Sequence, residues 1–348
     1  MSHKRILSSK EIKEFKISED RKLFSAEHNE ILEGLTTDVY FVKTYEILEA
    51  MDKLDTEVTV EVFARSYGVF CGLPEALALL EGTGAEVWSL NEGDFFQAKE
   101  VLMRIKGKYS NFGIYETALL GVLASSSGWA TAAKEVKEAA GDRPAIIFGA
   151  RHVHPAVAPV MERSAIIGGM DGSSCILGAK LAGIEPKGTV PHAVMLIAGD
   201  TLKVAKKYDE IMPEEDARLV LVDTFKDEAE ETLRIAEEMQ GRLQGIRLDT
   251  PSERGGVTPS LVREIRARLD LKGFTDIMLF VSGGLTPERI VQLKDAGADA
   301  FGVGSYVSGA PAIDMTMDIK EIDGVPVAKR GRIPGITYTE RLIKHEIL

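Results

Sequence analysis

The chain has 348 residues, 45% hydrophobic and 28% charged, with a mean hydropathy of −0.02, a globular composition that excludes a disordered or membrane-embedded protein. Asp plus Glu number 54 against 42 Lys plus Arg, a formal net charge of −12, which argues against a nucleic-acid partner, since such binders carry clustered positive charge. No apolar run reaches the ~18 residues of a membrane span, the charged start Met1–Phe15 lacks a signal-peptide core, and Cys71 and Cys175 form no CxxC pair, so the expected setting is cytoplasmic, with no membrane partner and no disulfide framework.

Single cores stop growing near roughly 250–300 residues, so this length implies one large unit with an appended domain. Residues 1–115 read as mixed α and β. Gly34–Tyr40 carries a helix N-cap signature, and Thr59–Phe63 alternates like a strand. Leu73–Leu80 reads as a helix, with Pro74 near its start and Gly82 past its end. Asn91–Ile105 reads as a second helix, and Tyr115–Ala140 as helical on both sides of a break at Ser125–Gly128. After Gly141 the rhythm changes. Apolar runs recur at Ala145–Phe148, Val190–Ile197, Leu219–Val222, Ile246–Leu248, Ile277–Val281 and Ala300–Val303. Amphipathic stretches such as Lys226–Glu238, Pro259–Leu269 and Pro287–Ala296 separate most of them. Strand and helix in alternation mean a parallel sheet covered by helices, and six runs in succession favour a (β/α) barrel over an open sheet. Met315–Ile322 reads as a strand that returns, past a turn at Gly324 and Pro326, to the N-terminal part. The expected division is 1–115 with 312–348, and 116–311.

Polar residues fall where the apolar runs stop: Arg151, His152, His192, Asp223, Thr224, Asp249, Ser282 and Gly304. In barrels of this kind the C-terminal strand ends build the active site. Ser282-Gly283-Gly284 and Gly302-Val303-Gly304-Ser305 each run from a buried strand into glycine, where backbone N–H groups can approach a phosphate; tight turns are the plain alternative. Gly149–Pro155 places Arg151, a planar donor fork, beside His152 and His154, which share a face on an extended segment. Anion binding is preferred there over a metal site, because carboxylates are few nearby. His192, in Gly188–His192, is a residue type that can donate to a leaving phosphate or accept a phosphoryl group. Asp223 and Asp249 end neighbouring strands and can bind ribose hydroxyls, hold Mg²⁺ or stabilise an oxocarbenium-like centre; helix capping is the bland reading. Arg247 alternates with Asp249 along one strand.

Together these segments resemble nicotinate phosphoribosyltransferase, in the short form found in archaea. The blocks are TTDVYF at Thr36–Phe41, GVFCGLPEAL at Gly68–Leu77, YETALLG at Tyr115–Gly121, FGARHVHPAVAP at Phe148–Pro159, GGMDGSS at Gly168–Ser174, GTVPHA at Gly188–Ala193, LVDTF at Leu221–Phe225, IRLDTPSERGG at Ile246–Gly256 and FVSGG at Phe280–Gly284. The resemblance implies the type II phosphoribosyltransferase fold: an incomplete (β/α) barrel plus an α/β sandwich domain from the N-terminal part and the C-terminal tail, working as a homodimer or higher oligomer. It implies that nicotinate and 5-phosphoribosyl 1-pyrophosphate, with Mg²⁺, give nicotinate mononucleotide and pyrophosphate in NAD salvage. Phe148 would stack on the pyridine ring with Tyr40, from a partner subunit, opposite. Arg247 and Arg151 would hold the carboxylate or phosphates, beside His152 and His154. Asp223 and Asp249 would act at the ribose, and Asp171 would face the ring nitrogen or amide group. Ser282, Gly283, Gly284, Gly302, Gly304 and Ser305 would cradle the 5-phosphate. His192 would be phosphorylated when ATP is hydrolysed as co-substrate. The family's cysteine-rich metal-binding tail has no counterpart here, so zinc is not expected. Leu35 stands where a basic residue is common.

Three rivals remain at this level. Quinolinate phosphoribosyltransferase shares the fold and phosphate loops, but its second carboxylate calls for a denser basic cluster. A non-catalytic nucleotide- or sugar-phosphate-binding barrel would not need Asp223, Asp249 and His192 together. A phosphate-binding barrel lyase or isomerase working by Schiff-base chemistry would want a lysine ending an interior strand, and none of the six runs ends in one.

Overall fold

A computed structural model describes residues 5–347. In chain order the strands are β1 (Glu57–Ala64), β2 (Gly68–Val69), β3 (Glu86–Ser89), β4 (Phe95–Phe96), β5 (Val101–Lys108), β6 (Ala145–Ile147), β7 (Gly172–Ser173), β8 (Leu219–Leu221), β9 (Gly245–Leu248), β10 (Met278–Ser282), β11 (Ala300–Val303), β12 (Met315–Ile322), β13 (Val325–Pro326) and β14 (Ile343–His345). Two compact units result, one running up to Ala130 and resuming at Pro311, the other spanning Thr131–Ala310.

The first unit is built on an antiparallel sheet in the order β13-β12-β1-β5-β3-β14, with β2 and β4 forming a small separate pair. Its core gathers Val60 and Val62 of β1, Leu102, Met103 and Ile105 of β5, and Phe41, Val42 and Tyr45 of the helix Val39–Ala50. The Tyr45 hydroxyl donates to the carbonyls of Tyr109 and Ser110, so this buried ring leaves no polar atom stranded. The helix expected over Asn91–Ile105 does not form. Lys99 adopts a left-handed φ of 67°, which ends any helix, and the stretch beyond it alternates well enough to pair as β5 with both β1 and β3. By contrast the helix Glu116–Ala140 runs unbroken through Ser125–Gly128. A Cβ on Gly128 would lie 2.3 Å from the Pro311 carbonyl oxygen, so this glycine marks a close chain approach rather than a break.

The second unit is a six-stranded parallel sheet in the order β7-β6-β11-β10-β9-β8. Helices Glu228–Met239, Pro259–Leu271 and Pro287–Asp295 connect successive strands. The last two start with Pro behind a Thr cap, Thr258 and Thr286, as helix-start chemistry dictates. Of the six strands expected, one is reassigned. Val190–Ile197 is no strand, because Pro191 caps a helix His192–Ala198, whose Leu196 and Ile197 stay exposed. The sixth strand is the two-residue β7. A cavity of about 840 Å³ is lined by Ile146 of β6 and Leu219 of β8, together with Phe148, Met278, Phe280 and Ala300. Since β6 and β8 are separated in the sheet by three strands, the sheet is strongly curled about this space.

Candidate active site

Parallel strands bring all their C-terminal ends to one edge, and the chemistry-bearing residues of the second unit gather there. Asp249 follows β9, Asp223 lies just beyond β8, and Ser282 ends β10. The centre is Arg247, one residue before the end of β9. Its Nε donates to Ser282 Oγ at 2.9 Å, Nη1 to Thr189 Oγ1 at 2.9 Å and Nη2 to Asp249 Oδ2 at 3.0 Å, while its guanidinium carbon sits 5.3 Å from the Phe148 ring centroid. Ser282 in turn donates to Asp249 Oδ1 at 2.9 Å. Of the five N–H groups of a guanidinium, three are spent on these partners, leaving one on each terminal nitrogen.

Asp223 is in a different state. Its side chain is 1% exposed; Oδ2 accepts from the Asp249 backbone N–H at 2.8 Å, and Oδ1 is buried without a hydrogen-bond partner. Burial, as the largest cause, pushes its carboxyl above the usual aspartate range; the Asp249 N–H and the nearby His192 oppose that rise. His192 opens its helix, holds its Nδ1 3.1 Å from Thr224 Oγ1, and points Nε2 toward Asp223 Oδ1 at 3.8 Å and Asp249 Oδ2 at 3.9 Å. Two acids, an arginine, a serine and a histidine therefore converge, although His192 enters from a helix start rather than from a strand end.

The glycine loops flank this cluster. Gly283 and Gly284 follow β10 with φ of 95° and 60°, exposed and three residues before the helix Pro287–Asp295. Gly304 precedes the exposed Ser305 after β11. Gly302 has another purpose than the phosphate contact expected of it: a Cβ there would lie 2.5 Å from the Phe148 ring, so its lack of a side chain makes room for that ring. Phe148 also stacks on Phe280 at 5.8 Å. With Arg247 on it as well, it presents less bare ring than a simple stacking platform would.

Five expected site residues stand outside the cluster around Arg247. Asp171 sits at the opposite, N-terminal edge of the sheet, where its carboxylate accepts from the Ala145 N–H at 2.9 Å and pairs with Lys137 at 2.8 Å; it ties the start of β6 and does not join the cluster. His152 and His154 do not share a face, because Ala150–His152 is a turn of 3₁₀ helix rather than an extended segment. His152 Nδ1 lies 3.2 Å from Ser308 Oγ, while His154 Nδ1 accepts from its own Ala156 N–H at 3.1 Å. Arg151 is exposed on the same turn and donates from Nε to His152 Nε2 at 3.3 Å. Tyr40 belongs to the first unit, 52% exposed on the helix Val39–Ala50. Sequence reading passed over Thr189, Phe280 and Ser308. The signal for Thr189 was its place three residues before His192; for Ser308 there was none.

Family models described as quinolinate phosphoribosyl transferase, N-terminal domain and C-terminal domain, match residues 38–127 and 129–318. The chain belongs to the quinolinate phosphoribosyl transferase family. This phosphoribosyl transferase family member is similar to the crystal structure of nicotinate-nucleotide pyrophosphorylase from Pyrococcus furiosus, at 43% identity and a TM-score of 0.87, over 91% of this chain and 82% of that one. It shares a fold with human nicotinic acid phosphoribosyltransferase, at 16% identity and a TM-score of 0.67, over 86% and 77%. A nicotinate phosphoribosyltransferase of Mycobacterium tuberculosis is 29% identical over 248 residues, 69% of this chain and 54% of that protein; that of Bacillus subtilis is 28% identical over 333 residues, 83% and 67%. The chain thus spans about half the length of the Mycobacterium relative. Among the described residues no helix is long and apolar enough to cross a membrane.

Proposed function

We propose that this family member forms nicotinate mononucleotide and pyrophosphate from nicotinate and 5-phosphoribosyl 1-pyrophosphate, on the curled sheet read as an incomplete barrel. The observation that carries the reading is the convergence of Arg247, Asp249 and Asp223 at one strand edge beside two glycine loops. The two uncommitted N–H groups of Arg247 suit a single carboxylate, and the apolar wall of Phe148, Phe280 and Ile146 suits a pyridine ring. As pyrophosphate departs, positive charge grows at the ribose C1. Asp249 and Asp223 are fixed anions beside it, and the unpartnered Asp223 Oδ1 is free to accept from a ribose hydroxyl. Backbone N–H groups at Gly283–Gly284 and Gly304–Ser305 take the 5-phosphate.

Mg²⁺ fits as a companion of the sugar pyrophosphate. Asp223 Oδ1 and Asp249 offer it hard oxygen donors, whereas among the described residues no group of three or more His, Cys, Asp or Glu side chains could hold a metal unaided. When bound, the ion offsets charge on the leaving pyrophosphate. ATP hydrolysis couples through His192, whose ring is steadied at Nδ1 by Thr224 and turns Nε2 inward. A homodimer would bring Tyr40 near a partner's ring site; Tyr40 and Ile47 stand exposed on the helix Val39–Ala50, and Met51 is exposed at its C-terminal cap.

The second reading, quinolinate with loss of CO₂, draws support from the family models' name. It asks for two carboxylate partners, and the basic groups inside the cluster are Arg247, already paired with Asp249, and His192. The names of the relatives divide: those of Mycobacterium tuberculosis and Bacillus subtilis are nicotinate phosphoribosyltransferases at 29% and 28% identity, and one of Nicotiana glauca, at 25%, is a decarboxylating quinolinate phosphoribosyltransferase. The test incubates the chain with the sugar pyrophosphate and Mg²⁺, with nicotinate or quinolinate, with and without ATP. Nicotinate mononucleotide from nicotinate is expected, and His192→Ala abolishes the ATP stimulation while leaving ATP-independent synthesis. CO₂ from quinolinate with no product from nicotinate sinks the proposal; full ATP stimulation in His192→Ala removes His192 from the coupling.

A further inference from the structure

Glu162 lies in the middle of the helix Ala158–Ile167 and is 0% exposed. A buried carboxylate is costly unless it is paired or fully hydrogen-bonded. Here the partners are five neutral donors. Oε1 accepts from the backbone N–H of Gly149 at 3.1 Å and of Ala150 at 3.0 Å, and from Ser174 Oγ at 3.2 Å. Oε2 accepts from Ser173 Oγ at 2.7 Å and from the Cys175 N–H at 2.7 Å.

Those donors belong to the last residue of β7 and to the two loops that follow β6 and β7. Gly149 and Ala150 stand between Phe148, which carries Arg247 on its ring, and Arg151 and His152. Gly149 comes so near the same helix that a Cβ would lie 2.6 Å from Met161 Cε. The turn is thereby fastened to the helix from below, through its backbone, while Arg151 stays exposed above. A group that only accepts is required: a glutamine must aim its NH₂ either at the two N–H groups of Gly149 and Ala150 or at that of Cys175, and in both cases donor meets donor.

We infer that Glu162 is a positioning residue, which sets the turn Ala150–His152 so that Arg151 can hold the anionic sugar pyrophosphate; the reactive part of this inference rests on the function proposed above. It touches no substrate and acts through the loop. Glu162→Gln is expected to raise the KM for 5-phosphoribosyl 1-pyrophosphate about tenfold, with kcat within about twofold. Glu162→Ala has a larger effect of the same kind, and Glu162→Gln serves if Ala does not fold. A merely structural acid would act independently of Arg151. If Glu162 works through the turn, adding Glu162→Gln to Arg151→Ala produces little further loss, the non-additivity of a shared path. Additive effects overturn the inference.

The second arm measures amide exchange at Gly149 and Ala150, and binding of inorganic pyrophosphate, in the wild type and in Glu162→Gln. Faster exchange and weaker binding in the variant are expected; unchanged exchange overturns the inference whatever the assay gives. A wild type that makes no nicotinate mononucleotide, yet whose exchange and pyrophosphate affinity both respond to Glu162→Gln, overturns the proposed reaction and leaves the positioning role in place.

Discussion

Two buried carboxylates, Glu61 in the antiparallel unit and Asp223 in the parallel one, are treated in opposite ways. In the antiparallel unit Glu61 is 0% exposed, yet Arg104 donates to it through Nε at 2.9 Å and Nη2 at 2.6 Å, and the Thr337 N–H at 3.0 Å. Asp318 beside it takes Lys329 at 2.7 Å and Arg332 at 3.1 Å. Their capacity is used up inside the fold. In the parallel unit Asp223 is as deeply buried, has one backbone donor, and keeps an oxygen with no partner. Burial without compensation is a cost to stability. Such an oxygen, beside a histidine and a second aspartate at a strand edge, is what a site needs for a ligand it has yet to meet. Glu61 and Asp318 are compensated within the scaffold, whereas Asp223 keeps the open oxygen that the proposed chemistry uses.

Substitutions can separate the two kinds of acid. Asp249→Asn, on the functional side, is expected to cut kcat by about 10³-fold, the scale of removing one electrostatic stabiliser, with the fold retained because Asn still accepts from Ser282 or Arg247. Circular dichroism and the nicotinate mononucleotide assay check this, and unchanged turnover removes Asp249 from the mechanism. On the structural side, Arg104→Ala leaves Glu61 buried without its cation. That should cost about 3 kcal/mol of stability, with kcat unaltered in the protein that remains folded. Urea unfolding monitored by tryptophan fluorescence reads it directly, since Trp88 and Trp129 both lie in this unit. A loss of turnover without loss of stability would break the comparison.

The same contrast explains which features were readable beforehand. Asp223 and Asp249 each follow an apolar run, and in a parallel sheet such an acid can only land on the C-terminal edge, so both were legible. β7 was not, because Gly172–Ser173 has no apolar run to announce it. Val190–Ile197 had one, but periodicity alone does not tell a short apolar strand from a helix, and Pro191 decided for the helix. Asp171 stood in a matching motif, yet it precedes its strand, which puts it on the wrong edge. Thr189 reaches Arg247 from an irregular segment, and Glu162 bonds to loops on either side of its own helix. Neither pairing has a spacing that sequence could display.

The smallest effect concerns an acid of the antiparallel unit that departs from the pattern of Glu61 and Asp318. Glu116, at the start of the helix Glu116–Ala140, lines a cavity of about 430 Å³ with Tyr109, Asp318 and Lys329. Burial first, and then the Asp318 carboxylate, push its pKa from 4.5 to about 7, against the pull of Lys329. A carboxyl whose pKa is raised on folding contributes stability that is fully present below the unfolded value and is lost as pH rises through the folded value. The contribution is thus complete below pH 4.5 and is lost as pH climbs through about 7. Glu116→Gln cannot ionise, so it should match the wild type near pH 4.5 and exceed it by about 2 kcal/mol near pH 8.5, after allowance for partial solvent screening. Tryptophan-detected urea unfolding at the two pH values gives the difference. A constant gap between the proteins would mean that Glu116 is already compensated, like Glu61.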